Sequence, residues 1–330
     1  MTDAPEGTEP RPKKSRRLFQ RAGMEARAHV IEEDFKTQVA VTRAQIDATN
    51  ERIVVRTGRN LPVAILIGLG LGGGLLVSLL IEKAFFMIFG ALLIGFTAYE
   101  LASALRFAGR DVPRVATIIG GVAVVPAAFF WGATGAWLGL LAAIVFVALW
   151  RTAELIPRAN RIPSRQYLAD LAAGSLVQVY VPFLASLTVV LTARDGGQFW
   201  TLAFLIVVVV VDTGAYASGL TFGKHPMAPR ISPKKTWEGF AGSVVVALLA
   251  GVLLSLFMLH QPWWFGLVFG AVMVFTATIG DLTESLIKRD LGIKDISTFL
   301  PGHGGFLDRL DSTLPSAGAA YILFLIFAPH

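Results

Sequence analysis

The sequence has no cysteine, and only 16% of its 330 residues are charged. The first absence excludes disulfides, thiolate zinc sites, iron–sulfur clusters and covalently attached haem. The second is more telling. Soluble domains are about one-quarter charged, and this chain falls well short of that while 54% of its residues are hydrophobic. The charge is also unevenly placed: residues 1–60 hold 12 of the 29 Lys and Arg and 9 of the 23 Asp and Glu. Residues 61–330 are mostly long apolar runs, several of about 18 residues or more, which read as membrane spans. A soluble enzyme is thereby excluded. The polar opening and the length of the first apolar run, Leu61–Ile81, predict no cleaved secretory signal.

Hydropathy predicts an all-α integral membrane protein with about nine transmembrane helices and a cytoplasmic N-terminal helical tail. The spans lie near 61–81, 84–106, 114–131, 134–150, 167–192, 198–219, 237–259, 263–285 and 313–328. About 20 helical residues cross roughly 30 Å of hydrocarbon, and helices satisfy every backbone polar group internally. The connections expected on the side of the tail carry Arg106, Arg110, Arg114, Arg151, Arg158, Arg161, Arg165, Lys224, Arg230, Lys234, Lys235, Lys288, Arg289, Lys294 and Arg309, against Lys83 and Arg194 on the other. That asymmetry predicts a multi-pass protein of the cell membrane with its N-terminus cytoplasmic and its C-terminus outside.

Four regions follow: 1–25, a disordered basic tail; 26–60, a cytoplasmic amphipathic helix; 61–200, N-terminal transmembrane helices; and 201–330, the transmembrane region that carries the chemistry. The helix rests on Ile31, Phe35, Val39, Thr42, Ile46, Thr49 and Ile53, spaced by threes and fours. It reads as a surface helix, with a dimerising coiled coil as the alternative. The cluster Arg11, Lys13, Lys14, Arg16, Arg17 and Arg21 suits anionic lipid headgroups rather than nucleic acid. Gly68, Gly70 and Gly73 satisfy G-x-G-x-x-G but sit inside a span, without the strand that a dinucleotide site requires. Close helix packing is the expected role of these small residues.

Two connections concentrate the polar residues. Val207–Val211 runs directly into Asp212, and a carboxylate at membrane depth is a functional candidate by default. After it come Lys224, Ser232, Lys234, Lys235 and Thr236. Ser232 and Thr236 are candidate caps for the next helix, whose free N–H groups suit a phosphate. In the second connection Asp281, Glu284, Ser285 and Lys288 fall on one helical face by i, i+3, i+4 and i+7 spacing. Asp308 and Asp311 are three apart and predict two carboxylates side by side. Carboxylates beside Lys and Arg are what phosphate chemistry with Mg²⁺ requires. Gly304 and Gly305 beside His303 point to backbone that approaches a ligand closely.

The stretch Ser285-x-Ile287-Lys288-Arg289-x4-Lys294-Asp295-x-Ser297-x2-Leu300-Pro301-x-His303-Gly304-Gly305-Phe306-x-Asp308-Arg309-Leu310-Asp311 resembles the signature of the phosphatidate cytidylyltransferases, or CDP-diacylglycerol synthases. Asp212-x2-Ala215-Tyr216-x2-Gly219, with Ser232-Pro233-x-Lys235-Thr236-Trp237-Glu238-Gly239, resembles a second block of that family. Some members have a basic residue where this chain has Leu220, and Lys224 is the nearest substitute. The resemblance implies transfer of CMP from CTP to phosphatidic acid in phospholipid biosynthesis, with Mg²⁺. It leaves open a second, monovalent cation, and it implies a homodimer. On that reading Asp281 and Asp308 are metal ligands, and Asp212 and Asp311 are further ligands or their support. Lys235, Lys288, Arg289 and Lys294 hold phosphates, with Ser232 and Lys224 at the edge of the site, and Arg309 either contacts phosphate or orients Asp308. His303 is read in three ways: orienting a ligand, contacting the nucleotide, or structural. A coupled transporter would place carboxylates in corresponding halves of the chain, and here they gather in the C-terminal third. A CDP-alcohol phosphotransferase would need an Asp-Gly-x2-Ala-Arg run, which is absent.

Overall fold

The computed structural model describes residues 61–156, 162–293, 296–297 and 304–328, so the expected tail and its helix lie outside the described residues. The chain opens with α1 (Leu61–Leu80), α2 (Lys83–Phe107) and α3 (Arg114–Leu155). It continues through α4 (Ser164–Gln178), a π-helical turn at Val179–Phe183 and α5 (Leu184–Ala193). Pro182 sits inside that turn. It has no N–H to donate, so the regular ladder cannot run through it. Next come α6 (Gly197–Phe222), β1 (Pro226–Ala228), β2 (Ser232–Thr236), α7 (Trp237–Phe257), α8 (Trp263–Asp290), the single turn α9 (Leu307–Leu310) and α10 (Thr313–Phe327).

Seven helical stretches among the described residues are long and apolar enough to cross a membrane, against the nine expected. The difference has two sources. Of α1 only Gly68–Leu80 falls in the fully described part, which is apolar but shorter than a span, and the expected spans 114–131 and 134–150 fall within the single 42-residue α3. That stretch is not straight. Gly132 adopts φ 61° and ψ −142°, backbone that only glycine enters freely, and the two halves fold back on each other there. A Cβ on Gly120 would lie 3.2 Å from Ala143, and one on Gly139 would lie 3.3 Å from the Val124 backbone. The described residues are otherwise almost wholly helical, as expected of an all-α membrane protein; β1 and β2 pair antiparallel and make a small hairpin between α6 and α7.

The apolar surface faces two ways. Trp200, Phe204, Phe265, Phe269 and Met273 are buried in one core, while Leu138, Val209, Leu253 and Ile326 are exposed on the outside. Exposed apolar area on this scale is untenable in water and natural against lipid. Gly251, Gly266 and Gly270 bring α7 and α8 into backbone contact, and a Cβ on Gly266 would lie 2.5 Å from the Cα of Val252. A Cβ on Gly70 or Gly73, both expected to serve such packing, would meet nothing within 4 Å among the described residues, whereas one on Gly74 would meet Phe89.

Polar contacts mark the two ends of the bundle. At one, Lys83 Nζ donates to the Arg194 carbonyl at 2.7 Å, and the Arg194 side chain lies against Gly132. At the other, Arg151 is 2% exposed and pairs with Asp170 at 2.8 Å and Asp111 at 2.7 Å, while Arg106 reaches Asp111 at 2.9 Å. A buried guanidinium is tolerated when each neighbouring carboxylate is paired with it. This network fastens α2, α3 and α4 together at the end where α2 finishes.

Candidate functional site

Asp212, on α6, follows the buried Val211 and is itself exposed. It accepts a hydrogen bond from Ser312 Oγ at 3.4 Å, which links it to the start of α10. On α8 the expected face is realised. Ser285 Oγ donates to Asp281 at 3.4 Å, and Lys288 pairs with Glu284 at 2.5 Å. Gly280 brings this face against the chain before α10: a Cβ there would collide with the Asp311 carbonyl oxygen and lie 3.0 Å from Pro315. Gly280→Ala should therefore push α8 away from Asp311 at a cost of about 1–3 kcal/mol. A lowered unfolding temperature in detergent together with reduced turnover is expected, and wild-type values of both would show that the close approach is dispensable.

The β1–β2 hairpin positions the lysines. Successive strand residues point to opposite faces, and of the adjacent pair Lys234 is exposed while Lys235 forms an ion pair with Asp281. Thr236 caps α7 as expected, accepting from Gly239 N at 3.1 Å. Ser232, the other expected cap, lies in β2 and is too far back to cap that helix. Glu238 in the first turn of α7 accepts from the backbone of Lys224 at 3.1 Å and of His225 at 3.2 Å, and reaches His225 Nδ1 at 2.5 Å. Lys224 is exposed and makes no ion pair among the described residues. Arg289 Nε donates to the Ile231 carbonyl at 3.2 Å and so ties the end of α8 to the hairpin.

The loop ahead of α9 completes the cluster. Asp308 accepts from Lys288 Nζ at 3.0 Å and from Gly305 N at 2.8 Å, beside Gly304 with its φ of 82°. Lys288 therefore bridges Glu284 and Asp308. Asp311 accepts from Ser312 N at 2.6 Å. Asp308 and Asp311, expected side by side, have different hydrogen-bond partners: Lys288 Nζ and Gly305 N for the one, Ser312 N for the other. Asp311 lies within electrostatic reach of Asp212 and Asp281, and Asp212 within that of Arg309. Lys294 and His303 lie outside the described residues.

Three residues beyond the expected site belong to this neighbourhood. Glu284 is 1% exposed, and its Oε1 has no partner among the described residues. Tyr180, presented by the π-helical turn, lies within reach of Asp311, Glu284 and Asp281. Glu100 of α2 is 3% exposed and accepts from Ser297 Oγ at 2.5 Å and Leu307 N at 3.0 Å. An ionisable residue inside the 84–106 span is the signal that pointed to Asp212, and it applies equally to Glu100.

The donors suit a hard divalent cation. Both expected ligands carry an ammonium group here, Lys235 on Asp281 and Lys288 on Asp308, so positive charge already sits where a metal is expected. Asp212 and Asp311 add negative charge beside Asp281, and every donor is oxygen, as Mg²⁺ prefers. Among the described residues no three acids or histidines are gathered into a ready-made ligand set.

Comparison with known proteins gives this geometry a family. The model of the cytidylyltransferase family matches residues 62–327. The chain is 40% identical over 276 residues to the phosphatidate cytidylyltransferase of Mycobacterium bovis, covering 82% of this chain and 90% of that relative. Its identity to the phosphatidate cytidylyltransferase of Mycobacterium leprae is 39% over 279 residues, covering 82% and 89%. A phosphatidate cytidylyltransferase of Staphylococcus epidermidis is 44% identical over 122 residues, or 37% of this chain and 46% of that one. A multi-pass membrane chain that carries lysine-paired aspartates and matches these enzymes over most of its length belongs to the cytidylyltransferase family, among the phosphatidate cytidylyltransferases.

Proposed function

We propose that the protein transfers CMP from CTP to phosphatidic acid, yielding CDP-diacylglycerol and pyrophosphate, at a Mg²⁺-dependent site on the cytoplasmic side of the membrane. One observation carries the site assignment: two lysine–aspartate pairs, Lys235–Asp281 and Lys288–Asp308, converge from β2, α8 and α9. The lipid phosphate oxygen is already ionised at neutral pH, so no strong general base is needed. It attacks the α-phosphorus of CTP, a P–O bond forms to the lipid, and the bond to the β-phosphate breaks. The residues therefore act by positioning and charge.

Asp281 and Asp308 would hold Mg²⁺, with Asp212 and Asp311 adding negative charge around it. Bound there, the ion supplies charge neutralisation and polarises the phosphoryl oxygens. Lys235 and Lys288 exchange their carboxylate partners for phosphate oxygens as the triphosphate enters. Arg289 and Arg309 add point charges at the rim, and Ser232 and Lys224 extend it along the hairpin; Lys294 is proposed as a further phosphate contact on the family resemblance. Arg106 and Arg151 share one end of the bundle, and Lys83, Arg194 and the Gly132 turn share the other, which supports nine crossings with the N-terminus cytoplasmic and the C-terminus outside. The homodimer is proposed on the family resemblance alone.

Pyrophosphate release by detergent-purified protein tests this reading. Release is expected only with phosphatidic acid, CTP and Mg²⁺ together, falling to background with ATP, GTP or UTP. Chelation by EDTA should abolish it and excess Mg²⁺ should restore it. Full turnover in EDTA would remove the metal from the proposal, and silence from folded protein with every nucleotide would remove the reaction.

A further inference from the structure

Glu100 is the eighteenth residue of α2, and its side chain is buried at 3% exposure. Burying a carboxylate is costly unless its oxygens are hydrogen-bonded. Here each oxygen has its own partner: Oε1 takes the Ser297 hydroxyl and Oε2 takes the Leu307 N–H. These partners stand at the two ends of the segment 297–307, which carries the His303-Gly304-Gly305 run and delivers Asp308. One side chain from α2 thus holds both Ser297 and the start of α9.

The second contact has a specific electrostatic sense. Leu307 is the first residue of α9, whose own N-cap residue, Phe306, makes no side-chain capping bond. The free N–H groups at a helix start need acceptors, and a carboxylate is the favoured one. Glu100 provides it from 207 residues away in the chain. One helical turn earlier on the same face, Phe96 stacks on Phe306, with ring centroids 5.1 Å apart and planes 11° from parallel. Gly305 completes the grip: a Cβ there would stand 2.8 Å from Glu100 Oε2, so the loop sits directly on the carboxylate.

We infer that Glu100 is a positioning residue for the cytidylyl transfer, fixing the loop that aims Asp308 at Lys288 and the substrate phosphates. The inference rests on the proposed role of Asp308. Glu100→Ala removes both loop contacts without touching α8, β2 or Asp308. Misplacing a catalytic group by about 1 Å can cost about 100-fold in rate, and a loss of that order in kcat is expected, with KM for CTP changed far less. Glu100→Gln keeps a carbonyl oxygen for Leu307 N and an amide that can meet Ser297 Oγ, and should recover most of the lost rate.

The test measures kcat and KM for wild type, Glu100→Ala, Glu100→Gln and Asp308→Ala in detergent. Deuterium uptake over residues 297–310 and the unfolding temperature are recorded alongside. Expected for Glu100→Ala are fast exchange confined to that segment, a near-native unfolding temperature and the kcat loss, all reversed in Glu100→Gln. Protection equal to wild type, or wild-type kcat, overturns the inference while an inactive Asp308→Ala leaves the Asp308 assignment standing. Global unfolding of Glu100→Ala with no recovery in Glu100→Gln also overturns it, since the carboxylate would then serve the fold at large. An active Asp308→Ala would instead remove the reading on which the inference depends.

Discussion

Replacing Asp308 with Ala is expected to lower turnover by about 1,000-fold or more, the loss usual when a preorganised charge is removed from a reacting phosphate or acyl centre. Its carboxylate occupies the centre of the loop's contacts, joined to Lys288 at 3.0 Å and to Gly305 N at 2.8 Å. The fold should tolerate the change. Lys288 keeps its bond to Glu284, and the loop keeps its contacts to Glu100, so the cost is that of one hydrogen-bonded group, about 1–2 kcal/mol. Asp308→Asn separates shape from charge: an Asn oxygen can still accept from Gly305 N, but it neither attracts a cation nor balances Lys288. Turnover of both variants close to background, with unfolding temperatures near wild type, is the expected result. Turnover of Asp308→Ala within tenfold of wild type would remove Asp308 from the site.

The sequence made some of this arrangement legible and hid the rest, for physical reasons. Helical periodicity places Asp281, Glu284, Ser285 and Lys288 on one face, and that is where they are, because spacing along a helix is a local property. The break expected between 131 and 134 coincides with Gly132, a residue able to take the backbone angles of the turn. Lys234 and Lys235 could not be told apart while the segment was read as a loop before a helix. Their opposite exposure follows from the strand pairing of 232–236 with 226–228, which hydropathy does not report. Pairings across the chain were equally hidden. Nothing local to Lys288 names Asp308, and nothing local to Leu307 names Glu100, because each contact joins two separate helices, 20 residues apart in the first case and 207 in the second. Asp308 and Asp311 have partners that their spacing does not name: Lys288 Nζ and Gly305 N for the one, Ser312 N for the other.

The second large effect expected is that of Lys288→Met, which separates the electrostatics of the fold from those of the reaction. Lys288 has a side-chain exposure of 17% and bridges Glu284, 1% exposed, to Asp308 at 15%. A methionine fills similar volume but leaves Glu284 in a closed environment without its cation. Removing one partner from a buried pair costs about 3–5 kcal/mol, mostly the penalty of the stranded charge. Lys288→Met should therefore unfold at lower temperature and be inactive. Adding Glu284→Gln removes the stranded charge, so the double variant should regain much of the lost stability. It should stay inactive, because the ammonium that holds Asp308 and meets the entering phosphate is still missing. The two readouts must part company for the assignment to hold. Stability and turnover restored together in the double variant would make Lys288 a counter-ion to Glu284 and nothing more. An undiminished unfolding temperature in the single variant would show that Glu284 is not charged when alone. In that case the bridge from α8 to Asp308 would contribute to catalysis without contributing to the stability of the helix bundle.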